Sequence, residues 1–141
     1  MRSKRFGFTL VEILIVVVIL GILAALVVPL MAGASQDAAV ATAHTELNKV
    51  RRAIEVYRVT NEDSLPPVLA GDGTWGPIVS REYLREPPIN NYVGGANGTV
   101  IVLGNAADGA FQTTHGWVYD NATGEVWAGG FDENDEPLPR P

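Results

Sequence analysis

Few residues in this chain have the type and spacing to do chemistry. Glu12 is the single acid between Phe8 and Met31, where twenty of 24 residues are apolar. A charged side chain inside a bilayer costs about 2.5–3.5 kcal/mol on insertion scales, so a carboxylate kept there points to a task beyond anchoring. Gly71-Asp72-Gly73-Thr74-Trp75-Gly76 satisfies G-x-G-x-x-G, which marks a dinucleotide site only where a strand precedes it and a helix opens from it. Pro66-Pro67 before it and Pro77 after it deny that frame, and the stretch reads as a turn-rich loop. Asp132-Glu133-Asn134-Asp135-Glu136 begins like a calcium loop, but Pro137 stands where such a loop requires Gly, which excludes an EF-hand. Asn121-Ala122-Thr123 matches a glycosylation acceptor and reads as turn chemistry. His44 is expected to face solvent, and neither it nor His115 has an obvious metal-ligand partner. No Ser/His/Asp set or carboxylate pair follows from spacing, so no enzyme is expected.

Composition narrows the class further. The chain has 141 residues, 47% of them apolar, and no cysteine. No second run approaches the roughly 18 apolar residues a spanning helix needs. One membrane segment carrying one small domain remains. Residues 1–60 carry seven Lys/Arg against four Asp/Glu, whereas residues 61–141 carry three against twelve. An acidic outer domain offers no electrostatic footprint for nucleic acid. The lack of cysteine excludes a disulfide framework, an iron–sulfur cluster, a thiol-ligated zinc and a Cys nucleophile.

The elements that must position Glu12 begin with the basic residues before it. Arg2, Lys4 and Arg5 precede the apolar run without an acid, which by the positive-inside rule keeps this end cytoplasmic and puts the bulk of the chain outside. Ala24-Ala25 and Ala32-Gly33-Ala34 could pass as weak signal-cleavage sites. The run is longer than the usual 7–15-residue signal core, and Glu12 lies near its start, so an ordinary secretory signal is disfavoured.

Gly7-Phe8-Thr9-Leu10-Val11-Glu12 resembles the processing motif of type IV pilins and type II secretion pseudopilins, and about 25 residues share that likeness. The resemblance implies cleavage after Gly7 by a prepilin peptidase, N-methylation of Phe8, and an assembly role for Glu12 with the Phe8 amine of a neighbouring copy. Pro29 matches a helix-bending Pro found in many members. The major, G-like pseudopilins are the nearest likeness, and they bind calcium in C-terminal loops. Asp108, Asp120 and Asp132 are the weak candidates for such a Ca2+ site, and no other cofactor is implied. The implied partners are further copies in a helical filament, the peptidase and N-methyltransferase, an inner-membrane assembly platform with minor pseudopilins, and membrane lipid. The implied location is the bacterial inner membrane, single-pass with the C-terminal domain periplasmic, and then a periplasmic pseudopilus that drives protein export. A type IV pilus or DNA-uptake pilin is the rival within the family, and a membrane-anchored binding domain that never polymerises is the rival outside it.

The expected fold is α+β and pilin-like: a long N-terminal helix, half membrane-borne and half amphipathic, packed on a small antiparallel sheet of about three strands. Ile13 to Gln36 carry no charge, about 36 Å of helix, enough to span a hydrocarbon core of about 30 Å. Gly21 and Pro29 are its soft points, with a kink or local unwinding expected between Ala25 and Pro29. Val40, Ala43, Leu47, Val50, Ile54 and Tyr57 then recur at spacings of three and four, an apolar stripe that needs a cover.

Asn61 to Ser64 and Pro66-Pro67 stop the helix. Ile78 to Leu84 reads as a short helical turn inside a connecting loop, Thr99 to Leu103 as a strand, and Gly116 to Gly129 as a hairpin turning at Asn121-Ala122-Thr123-Gly124. The organisation expected is a basic leader 1–7, a membrane and filament-core helix 8–33, its amphipathic continuation 34–60, a connecting loop 61–98, a sheet 99–130 and an acidic mobile tail 131–141.

Overall fold

A computed structural model describes residues 7–71 and 73–141. Arg2, Lys4, Arg5 and Asp72, used in the reading above, lie outside the described residues. The chain divides into two compact units, Met1–Gln36 and Asp37–Pro141.

One helix, α1 (Leu10–Thr60), contributes to both units. In the first unit every large apolar side chain described from Phe8 to Met31 is at least half exposed. A helix that is apolar all round and uncovered by its own chain must be covered by lipid or by other helices. An 18-residue window of α1 reaches a mean hydropathy of 3.3, and α1 is long and apolar enough to cross a membrane. Pro29 lies inside α1, which continues as helix on either side of it.

The second unit is built on the amphipathic half of α1. Ala43, Leu47, Val50 and Ile54 are buried, with Val40 and Tyr57 packed at the margin, so the stripe read from the 3,4 spacing is the face that enters the core. Covering it are β1 (Ile101–Leu103), β2 (Trp117–Tyr119) and β3 (Val126–Ala128) in the order β1-β2-β3. Ile101, Trp117, Tyr119, Val126, Ala128 and Phe131 supply the other wall of the core. Trp75 fills the space between, its ring edge-on to Trp117 and Tyr119 at 6.1 and 5.9 Å. The helix ends where Glu62 and Asp63 turn left-handed, at φ 53° and 61°. The Asp63 N–H donates back to the Arg58 carbonyl at 2.8 Å, the bond that closes such a terminus.

The α+β class, the long helix and the three short strands are as expected, but the sheet is mixed. β2 and β3 are antiparallel, with Trp117 opposite Ala128 and Tyr119 opposite Val126. β1 and β2 run parallel, Ile101 beside Trp117 and Leu103 beside Tyr119. Residues 104–116 therefore form a crossover and no hairpin, which a parallel pair requires. The turn expected over Ile78 to Leu84 is instead a 3-10 turn at Gly76–Ile78 followed by a bridge between Val79 and Leu84.

The tail is also different from expectation. It is packed: Phe131 is buried, the Leu138 N–H donates to the Gly130 carbonyl at 2.9 Å, and the Tyr92 hydroxyl donates to the Leu138 carbonyl at 2.7 Å. Arg140 donates to the Tyr92 carbonyl and lies over the Tyr92 ring, 4.4 Å from its centroid. His44 does not simply face solvent, since its ring packs edge-on against Phe131 at 5.3 Å.

Candidate functional site at the start of the helix

Gly7, Phe8 and Thr9 precede α1 without regular structure, and Phe8 is 83% exposed. The Gly7–Phe8 bond thus lies outside the helix, and both residues are exposed. Thr9 is the residue before Leu10, and three positions later Glu12 turns back to it. The Glu12 carboxylate accepts the Thr9 N–H at 2.7 Å and the Thr9 hydroxyl at 2.9 Å, while the Thr9 hydroxyl accepts the Glu12 N–H at 3.2 Å. This reciprocal arrangement is a capping box, which satisfies two N–H groups that an α-helix leaves unpaired at its start. It also sets a negative charge against the positive end of the helix dipole. The Thr-x-x-Glu spacing that specifies it is visible in the sequence and was missed in the reading above. Gly21 and Pro29 lie farther along the same helix and do not meet this site.

The three aspartates offered for calcium stand in separate local networks. Asp108 accepts from Gln112 at 2.6 Å and from the Gly130 N–H at 2.7 Å, and its other oxygen lies 3.2 Å from His115 Nε2. Burial pushes the Asp108 carboxyl up, but hydrogen bonds from His115, Gly130 and Gln112 outweigh it and hold the group below its ordinary value. Asp120 accepts the Ala122 N–H at 2.8 Å and the Thr123 hydroxyl at 2.9 Å, so it organises the β2–β3 turn. Asp132 accepts the Asn134 and Glu136 N–H groups at 2.8 and 2.9 Å. Those backbone donors hold both carboxyls below their usual range, the Ala122 N–H first for Asp120 and the Glu136 N–H first for Asp132. Among the described residues no group of three His, Cys, Asp or Glu is arranged to hold a metal ion.

A residue that spacing could not single out is Asn90, which is fully buried. Its side-chain N–H groups donate to the Gly116 and Gly129 carbonyls at 2.9 Å each, and its oxygen accepts from the Tyr92 and Val93 N–H groups. It pins the connecting loop to the ends of β2 and β3.

The family described as the prokaryotic N-terminal methylation motif matches residues 2–28. The chain is 30% identical over 129 residues to the type II secretion system core protein G of Escherichia coli, covering 79% of this chain and 88% of that protein. It is 45% identical over 60 residues to the protein of the same name from Pseudomonas aeruginosa, covering 43% of this chain and 42% of the relative. The Vibrio cholerae core protein G is 43% identical over 58 residues, 41% of this chain and 40% of the relative. For these last two the match spans about two fifths of the relative's length. No solved structure gives a significant match.

Proposed function

We propose that this chain, which belongs to the family of type II secretion system core protein G, is a structural subunit that is cut after Gly7, methylated at Phe8 and polymerised into a periplasmic pseudopilus that drives protein export. The observation that carries the reading is Glu12: a carboxylate held at the start of a helix whose large side chains described as far as Met31 are otherwise apolar and at least half exposed. Such a helix has two coverings available, lipid before assembly and copies of itself afterwards. Before cleavage the Phe8 nitrogen is a neutral amide; afterwards it is an amine with a pKa of about 8, charged at neutral pH. Methylation keeps that charge.

Within the filament the Glu12 carboxylate of an incoming copy pairs with the Phe8 ammonium of a copy already in place. Two unit charges about 4 Å apart attract by roughly 4 kcal/mol at an effective dielectric of 20, from which desolvation subtracts. The capping box bears on this step. It holds the carboxylate with two hydrogen bonds while the subunit waits in lipid, so the buried charge is never bare. Pro29 and Gly21 supply the compliance that lets the membrane half of α1 repack among neighbours. The subunit is inserted in the inner membrane with its N-terminus cytoplasmic and the Asp37–Pro141 unit periplasmic, and its partners are the peptidase, the assembly platform and minor pseudopilins.

Mass spectrometry of the protein purified from membranes tests the processing step. The expected chain starts at Phe8 and carries one added methyl group. A chain that retains residues 1–7 in cells containing the peptidase contradicts the reading.

A further inference from the structure

We propose that the Arg51 guanidinium and the Asp108 carboxylate close the C-terminal loops of the second unit in place of calcium. Likeness to the G-type pseudopilins implies that ion, but the donor set here does not fit it, and the unit folds without it. A calcium ion needs about six to eight oxygens turned toward one point at about 2.3–2.6 Å. The two acidic turns of this unit are built with the opposite polarity. In residues 132–136 the N–H groups of Asn134 and Glu136 converge on one carboxylate oxygen of Asp132, at 2.8 and 2.9 Å. The Asp135 N–H donates to the Asp132 carbonyl at 3.1 Å, and the Asp132 N–H to the Glu136 carbonyl at 3.0 Å. The turn between β2 and β3 repeats the pattern. Asp120 accepts the Ala122 N–H and the Thr123 hydroxyl, and its carbonyl accepts the Gly124 N–H at 2.8 Å. Each turn aims donors at its own aspartate, where a cation loop aims oxygens at the ion.

The links that an ion would make between loops are made by side chains instead. Arg51 holds both oxygens of Asp135, at 2.5 and 2.9 Å, and the Val126 carbonyl, at 2.8 and 3.2 Å. One fixed positive charge thereby joins the helix, β3 and the tail. A guanidinium presents its donors in a planar fork and stays charged at any physiological pH. It can therefore serve a carboxylate and a carbonyl as a bound cation does, with no binding equilibrium to satisfy. Asp108, in the crossover between β1 and β2, makes the second link. One of its oxygens accepts from Gln112 and from the Gly130 N–H, and the other lies 3.2 Å from His115 Nε2. The crossover is thus tied to the residue directly before the tail. Between the two links Phe131 is buried and bridges to Pro137 across the acidic turn.

Thermal unfolding of the full-length chain in detergent tests this, whether or not the chain polymerises. Its three tryptophans, Trp75, Trp117 and Trp127, all lie in the second unit, so their fluorescence reports the melting of that unit. The chain is melted in a calcium chelator, in calcium and in magnesium. Calcium at about 10 mM exceeds the dissociation constants of even weak extracellular modules by about tenfold. A site so filled would raise the melting temperature of a unit this size by about 5 °C or more. The expected result is one melting temperature in chelator and in calcium, apart from any small rise that magnesium gives equally. Any rise in calcium beyond that in magnesium overturns the proposal. Arg51→Gln removes the charge and is expected to melt several degrees below the parent in all three buffers. If it melts with the parent, the guanidinium does not close the loops and the proposal falls. Should Arg51→Gln fail to fold, Arg51→Lys, which keeps the charge without the fork, is measured in its place. The same drop is expected of it, and melting with the parent is again the contrary result.

Discussion

Arg51 and Asp135 stand 84 positions apart in sequence and are joined by two hydrogen bonds, at 2.5 and 2.9 Å. The same guanidinium donates to the Val126 carbonyl at 2.8 and 3.2 Å, so one side chain ties the helix to the outer edge of β3 and to the tail. That edge would otherwise offer a carbonyl for strand addition. Bidentate, charge-assisted pairs are among the stronger hydrogen bonds, although this one is partly exposed and is discounted accordingly. Arg51→Ala is expected to cost about 1–2 kcal/mol, which lowers the melting temperature of the outer unit by several degrees. Asp135→Ala should cost less, because Arg51 keeps its bond to Val126. Thermal unfolding of the two variants in detergent checks the order; equal melting temperatures would contradict it.

Asn90 leads to a larger effect. Replacing it with Ala strands the Gly129 carbonyl and the Tyr92 N–H in a buried site and leaves the Gly116 carbonyl with the Gly129 N–H alone, with a cost of about 3 kcal/mol. Asn90→Asp should be no milder, since it loses both donors and adds a buried charge. Gly116→Ala is expected to be disruptive for a different reason: a Cβ there would lie 2.2 Å from the Gly98 carbonyl oxygen. Denaturant midpoints measure all three, and a loss under 1 kcal/mol for Asn90→Ala would count against the hub.

Stability should respond to pH at both ends. Asp108 is held below its ordinary value in the folded chain, so it stabilises above its unfolded pKa of about 3.9 and that contribution is lost as pH falls through the folded one. Asp108→Asn should therefore be less stable at pH 7 and show a shallower decline on acidification. Tyr119 behaves in the opposite sense. Burial first, then the charges of Asp120 and Tyr57, push its hydroxyl up to about 12. Its contribution is present below its unfolded pKa of about 10 and is lost as pH rises toward 12. Tyr119→Phe should flatten the alkaline limb. Identical slopes in variant and parent would contradict these assignments.

The parts of the fold legible in the sequence were those governed by short-range period. The stripe from Val40 to Tyr57 is a local pattern with one structural solution, and Leu47, Val50 and Ile54 are buried as it demands. The direction of β1 was hidden because residues 104–116 carry no helical pattern to announce a crossover. The packing of the tail was hidden because acidic composition signals solvation, while the groups that hold it, Tyr92 and Arg51 among them, lie far from it in sequence. The role of Asn90 as a hub was hidden, since its bonds to the Tyr92 and Val93 N–H groups are ordinary turn chemistry while those to the Gly116 and Gly129 carbonyls reach groups brought near only by folding. At the site itself, Glu12 stood out as an acid inside an apolar run, Gly7 and Phe8 were marked by the family resemblance, and the part Thr9 plays needed attention to capping.

Substitution of Glu12 by Gln separates the two things this residue can do. Glutamine can keep the capping bond to the Thr9 N–H but carries no charge, whereas Glu12→Ala loses both. If the carboxylate is needed only to start the helix, Glu12→Gln should assemble as the parent does. The account predicts instead that Glu12→Gln is inserted, cut after Gly7 and methylated at Phe8, yet yields no filaments, like Glu12→Ala. Normal filament yield from the Glu12→Gln chain would contradict the pairing of Glu12 with the Phe8 amine.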